Sequence, residues 1–273
     1  MPTDQMQKFL FVNEGIRGVF VSMPETLQAI MHQHHYPAVL FDSLGSCLLS
    51  SVLLANRIKF KGDLTMQLEI SGAISLLVAK CSDALDVRGL ARWDETADSQ
   101  QLVADFSQGR LVLTVASERS SQRFQSIVEL KGDSLASALD HYFIQSEQLP
   151  TRVMLEVSSG SGVIIQAMPD QPLNDALWQQ VSRTSSALED GSLAPGAKSF
   201  LASHFSEYDI QLFDSKPVQF RCHCSHERMQ SAVKSLGKNE IEQILSEFPA
   251  INVTCEYCNQ QYSFSAQESR SLF

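Results

Sequence analysis

Over the first 170 residues, apolar positions come in short alternating or clustered runs divided by glycine, proline and polar turns. KFLFVNEGIRGVFVSM (8–23) reads as extended chain, with Gly15 and Gly18 marking a turn or bulge. Ser22 and Pro24 punctuate a helix start, after which Leu27, Ile30 and Met31 share one face. AVLFDSLGSCLLSSVLLA (38–55) is the longest apolar stretch; with Asp42 and five serines or glycines it is too polar to span a membrane and predicts a buried helix. LTMQLEI (64–70), ISLLVAK (74–80), VRGLARW (87–93), LVLTVA (111–116) and FQSIVEL (124–130) predict five strands. Ser134 can cap a helix carrying Leu135, Leu139 and Phe143 at four-residue spacing. RVMLEV (152–157) and VIIQAM (163–168) flank SSGSG, a hairpin by its glycines. Strands and helices are grouped rather than alternating, so the fold class is α+β, with a mixed α/β core domain over 1–170.

The pattern changes after Pro169. DQPLNDALWQQVSRTSSAL (170–188) can form a helix around Leu173, Leu177, Trp178 and Val181, and it gives way to EDGSLAPGAKS (189–199). FLASHFSEYDIQLF (200–213) restores the aromatics. Residues 171–217 hold enough apolar side chains to dock but too few to make a core, so they read as a weakly folded helical linker. In 218–273, HERMQSAVKSL (226–236) and NEIEQILSEF (239–248) predict two helices, and INVTCEYCNQQYSF (251–264) has the strand, tight turn, strand form of a zinc knuckle.

Four of the six cysteines fall in that last segment, as Cys222 and Cys224, then 30 residues on, Cys255 and Cys258. The N-terminus shows no basic region, apolar run and cleavage site, so a cytoplasmic protein with reduced thiols is expected. Paired cysteines there point to a metal: four thiolates complete a tetrahedral zinc shell, one ion per chain. Clustered apolar cysteines without metal are the plainer alternative, and His223 or His226 could replace a thiol. Cys47 and Cys81 lie in apolar runs and read as inert. His32, His34 and His35 read as a helix end and polar turn before Pro37.

The net charge of −10 divides as −6 over 1–170, −3 over 171–217 and −1 over 218–273, so no segment offers the basic face a nucleic acid needs. SSGSG lacks the lysine of a phosphate loop, and no GxSxG elbow or marked carboxylate pair appears, so no enzyme is expected. The rival is a thiol–disulfide oxidoreductase using CEYC, a motif such enzymes set at a helix N-terminus.

HHYPAVLFDSLGSCLLSSVLLANRIKFKGDLTMQLEISG (34–72), VRGLARW, HYFIQSEQLPTRV (141–153), QLFDSKPVQFRCHCS (211–225) and CEYCNQQYSF (255–264) carry a resemblance that runs essentially end to end. The chain resembles the redox-regulated bacterial chaperone family known as heat-shock protein 33, or the 33 kDa chaperonin. The resemblance implies a core domain (1–170), a redox-sensitive linker (171–217) and a zinc domain (218–273). It implies an ATP-independent holdase for unfolded client proteins, silent when reduced and active when oxidised; a homodimer is expected in the oxidised form, and charge and hydropathy leave no nucleic acid or membrane partner expected. Cys222, Cys224, Cys255 and Cys258 would then be both the zinc ligands and the redox-active disulfides. Neighbouring thiols are expected to pair, Cys222 with Cys224 and Cys255 with Cys258, because short loops close fastest.

Overall fold

The computed structural model describes residues 4–55, 62–103, 109–117, 123–188 and 193–273. Residues 56–61, within the resemblance, and 189–192, the start of the expected Gly/Pro/Ser break, lie outside the described residues. The chain divides into two compact units, Met1–Phe220 and Arg221–Phe273.

The first unit holds two sheets. Sheet A runs β10 (Ile210–Leu212), β1 (Gln5–Phe11), β2 (Ile16–Ser22), β9 (Ser161–Ala167), β8 (Thr151–Glu156), with β11 (Lys216–Pro217) also on β1. Sheet B runs β12 (Gln219–Phe220), β5 (Asp86–Trp93), β4 (Ile74–Ser82), β3 (Gly62–Glu69), β6 (Arg110–Ser117), β7 (Arg123–Glu129). Pairing is antiparallel throughout except β12 on β5, which hairpin connections permit and crossover helices would not. The α+β reading holds.

Helix α1 (Pro24–His34) leads into α2 (Ala38–Ala55), which touches strands of both sheets. Contact on two sides explains why its apolar residues, Leu40, Leu44, Leu48, Leu49, Val52 and Leu53 among them, surround the helix rather than form a stripe. By length and composition α2 could cross a membrane, yet 72% of it is buried here as the core helix. Helix α3 (Leu135–Tyr142) starts at the expected Ser134 cap and ends in a wider turn over Phe143–Glu147.

The helix start read at Ser22 and Pro24 is there: Ser22 ends β2, Met23 stands at the cap of α1, and the Asp4 carboxylate accepts from the N–H groups of Glu25 and Thr26. Gly15, at φ +66°, makes the β1–β2 turn, but Gly18 is no bulge. A Cβ at Gly18 would stand 2.1 Å from Phe9 Cζ, so the glycine makes room for that ring.

Within 171–217, two helices cover one face of sheet A while β10 and β11 pair with its strand β1. Helices α4 (Asp175–Leu188) and α5 (Ala197–His204) bring Leu177, Val181, Phe200, Leu201 and the following Phe205 against Phe9, Phe11, Ile16, Phe20, Val163 and Ile165. The sheet thus supplies half of a core that the segment could not make alone. Asn174 fixes the entry, accepting from Leu177 N–H and donating its own N–H to Glu14 O at 3.2 Å. The two compact units meet at 220/221: Val218 is buried in the main core and β12 pairs with β5.

In the second unit, α6 (His226–Ser235) and α7 (Lys238–Glu247) precede the hairpin of β13 (Ala250–Thr254) and β14 (Gln261–Ser265), as expected. A short α8 (Ala266–Arg270), unforeseen, follows with a Ser265/Glu268 capping box, and Arg270 clamps Glu242 through both carboxylate oxygens. Val233, Ile241, Ile251 and Phe264 make up its buried apolar cluster.

Phe200 is fully buried, its ring 5.6 Å from Phe20 and 5.9 Å from Phe205. Phe200→Ala is expected to destabilise the docked segment by about 3–5 kcal/mol. Urea unfolding followed by Trp178 fluorescence, in a Trp93→Phe background, measures it.

Candidate metal centre

The hairpin β13–β14 closes through CEYC: Cys255 N–H donates to Gln260 O at 2.9 Å, and Asn259 N–H and Cys258 N–H both donate back to Cys255 O. Asn259 takes the left-handed conformation, φ +55°, which asparagine tolerates better than most residues. This tight turn puts both thiols on one side. Cys222 and Cys224 approach from the segment before α6, a stretch outside any strand and so free of the spacing that would hold i and i+2 about 6.6 Å apart. Ser225 caps α6 by accepting from Arg228 N–H, and the Arg228 guanidinium donates to His223 O at 2.8 Å, which pins the loop.

The four Sγ atoms lie within 4.8 Å of one another. Cys222–Cys255 are 3.7 Å apart and Cys224–Cys258 3.5 Å. A tetrahedron with metal–sulfur bonds of about 2.3 Å has edges of about 3.8 Å. The thiols therefore fit a tetrahedral metal ion without rearrangement. Among the described residues this is the one such group, and neither His223 nor His226 belongs to it. The His226 ring packs on Phe264, 4.6 Å between centroids, as part of the small core. His35 supplies the left-handed end of α1, and His34 stacks on Tyr36.

Burial, first of all, holds the thiols of Cys222 and Cys258 above the ordinary range. Cys224 lies below it: burial opposes, but the Tyr262 hydroxyl and the three other sulfurs outweigh it. Tyr262 Oη donates to Cys224 Sγ at 3.1 Å, and this bond above all pushes the phenol up to about 12. The tyrosine is the site residue that sequence reading missed. Its signal was the strand period, which carries Tyr262 on β14 two positions before the core residue Phe264. Cys47 and Cys81 are not members of this group; both are buried, with thiols pushed well above the usual range by burial.

An α+β body followed by a small unit gathered on four thiols defines a two-part protein with a metal-fitted appendage. The family model described as Hsp33 protein matches residues 4–265, and the chain belongs to that family. It is 36% identical to the "33 kDa chaperonin" of Nitrosococcus oceani, with 99% of this chain and 94% of the relative covered. It is 35% identical to that of Shewanella baltica, with coverage of 100% and 96%. The crystal structure of the 33 kDa chaperonin from Thermotoga maritima shares the fold, with a TM-score of 0.82 at 21% identity over 98% of this chain and 97% of that one.

Tyr262→Phe removes one hydrogen bond to a candidate ligand and leaves the core intact. Loss of a hydrogen bond to a metal-ligating sulfur costs about tenfold or more in metal affinity. A cobalt(II) titration, read through the sulfur-to-metal absorption band, is expected to show that loss with an unchanged band position.

Proposed function

We propose that the chain is an ATP-independent, redox-regulated holdase, inactive when reduced and activated by oxidation, that shields unfolding client proteins from aggregation. The observation that carries this is the pairing of four convergent thiols with the slender core of the 53-residue unit they close. Zinc, one per chain, held by Cys222, Cys224, Cys255 and Cys258, would supply about 10–16 kcal/mol of folding free energy. Oxidation by a peroxide closes the sulfurs into two disulfides, Cys222–Cys224 and Cys255–Cys258. Each closure would take two electrons from a pair of thiolates and two protons from solvent, reducing one hydrogen peroxide to two waters, and the zinc would be released as its ligands are lost. The unit then lacks the thiolates that hold it.

Disorder beginning at Arg221 passes along the chain to β12, β11 and β10 and then to the docked helices, so 171–217 acts as the redox-sensitive linker between the core, 1–170, and the zinc domain, 218–273. Release of that segment uncovers Phe9, Phe11, Phe20, Val163 and Ile165, an aromatic and aliphatic sheet face of the kind that unfolded chains adsorb to. The placement of CEYC in a strand-to-strand turn, not at a helix N-terminus, favours this non-enzymatic role over a thiol–disulfide oxidoreductase. The protein would act in the cytoplasm, with unfolded proteins rather than nucleic acid or membrane as partners, and as a homodimer when oxidised.

Light scattering by a thermally unfolding client is expected to be suppressed by the oxidised protein without ATP and unaffected by the reduced one. A colorimetric zinc assay on the same sample is expected to show about one ion released per chain. Equal protection by both forms would sink the redox reading.

Hydrogen exchange on the oxidised protein is expected to show amides from about Gln171 onward exchanging while 1–170 keeps its protection. Retained protection around Trp178 in a sample that holds client would exclude linker release as the activating step.

A further inference from the structure

Lys8 and Leu10 of β1, Arg17 and Val19 of β2, and Ile164 and Gln166 of β9 fall on one face of sheet A, by register and by alternation along each strand. It is the face on which Val19 and Ile164 join the main core. Together with Met168 and Phe213 these residues line a cavity of about 670 Å³, to which no residue of α2 contributes. That volume lies within the roughly 300–1,000 Å³ of small-molecule sites.

Three cations meet on this face. Lys8 stands opposite Val19, which makes Arg17 its diagonal neighbour on β2. Lys216 of β11 stands opposite Met6, which makes it the diagonal neighbour on the other side. Burial first, then Lys216 and Arg17, hold the Lys8 ammonium below the usual lysine range. Among the described residues no carboxylate forms an ion pair with any of the three, in a chain whose net charge is −10. Like charges on neighbouring strands destabilise a sheet, and folds keep such local conflicts mainly at functional sites. Arg17 is also held in place: its Nη2 donates to Gln166 Oε1 at 3.3 Å, and Gln166 Nε2 donates to Thr151 Oγ1 at 2.9 Å. Gln166 and Thr151 are both buried, so the guanidinium is anchored from beneath.

We infer that this cavity binds a small amphipathic anion, a carboxylate or phosphate on a single apolar chain, with its head at Lys8 and Arg17 and its chain against Leu10, Val19, Ile164 and Phe213. The charges select an anion, and the apolar lining selects one with a body to bury. A line of three cations is too short to track a polyanion. Phe213 and Lys216 belong to the segment 171–217, while the rest of the site belongs to the core strands, so the bound anion favours the docked segment by mass action. The binding itself does not rest on the redox reading.

Calorimetric titration of the reduced full chain with decanoate and with decyl phosphate, both kept below their micellar concentrations, tests it. One site with a dissociation constant of about 1–100 μM is expected for these anions. Decanol, which lacks the charge, and inorganic phosphate, which lacks the chain, are each expected to bind at least about tenfold more weakly. Lys8→Met and Arg17→Met are each expected to weaken decanoate about tenfold, while Lys8→Arg keeps the affinity. Lys8→Met relieves repulsion, so its urea midpoint is expected not to fall, which separates loss of the head contact from damage to the fold. Absence of binding by both anions up to about 1 mM overturns the inference. So does decanol or inorganic phosphate binding as tightly as decanoate, or an affinity that both methionine variants leave unmoved. Co-sedimentation with phosphatidylglycerol vesicles in the absence of binding to the dispersed anions also overturns it, and assigns the cations to a membrane surface instead.

Discussion

A 53-residue unit whose buried apolar cluster is Val233, Ile241, Ile251 and Phe264 sits below the size at which burial alone outweighs chain entropy. Fixing each residue costs about 1–2 kcal/mol, while each of these side chains returns about 1.5–3 kcal/mol. Something must join its two halves, and the four thiols stand where that joint belongs. The CEYC turn, the Ser225 cap, the Arg228 contact with His223 O and the Tyr262 hydroxyl all serve to hold those sulfurs together. The unit is arranged around its cysteines more than around its core.

The first unit has the opposite economy. Its main core encloses α2 between two sheets, and the second cluster, on the far side of sheet A, comes from a different part of the sequence. Phe9, Phe11, Phe20 and Phe200 dominate that cluster, with rings at 5.3–5.9 Å in edge or tilted contacts with one another or with Phe205. The main core keeps α2 and sheet B whether or not this layer is present. The two clusters can therefore differ in stability while sharing the strands of sheet A.

Much of this was legible because it is local. Periodicity located α2, the β8–β9 hairpin and strands β3–β7 of sheet B, and the cysteine spacing located the candidate centre together with the hairpin that carries half of it. What escaped is held by distant partners. The N-terminal N–H groups of α1 are satisfied by Asp4, some twenty residues earlier, which no local cap rule could find. Strands β10, β11 and β12 are two or three residues long and exist because β1 and β5 offer open edges. Residues 171–217 look too poor in apolar side chains because the other half of their core, Phe9 to Phe20, lies in a stretch that reads only as extended chain.

Asp4 has one further consequence. Its carboxylate holds the start of α1, its carbonyl accepts from Val218 N–H at 3.0 Å, and the next residues pair with β11. Asp4 is thus a clasp on the strand that leaves toward Arg221. A clasp of two or three rungs parts by unzipping, one bond at a time, whereas the helices behind it must lift off together. Traction arriving from the C-terminal side meets a graded catch first and a cooperative one second, so small disturbances are absorbed at the edge and only large ones reach the aromatic layer.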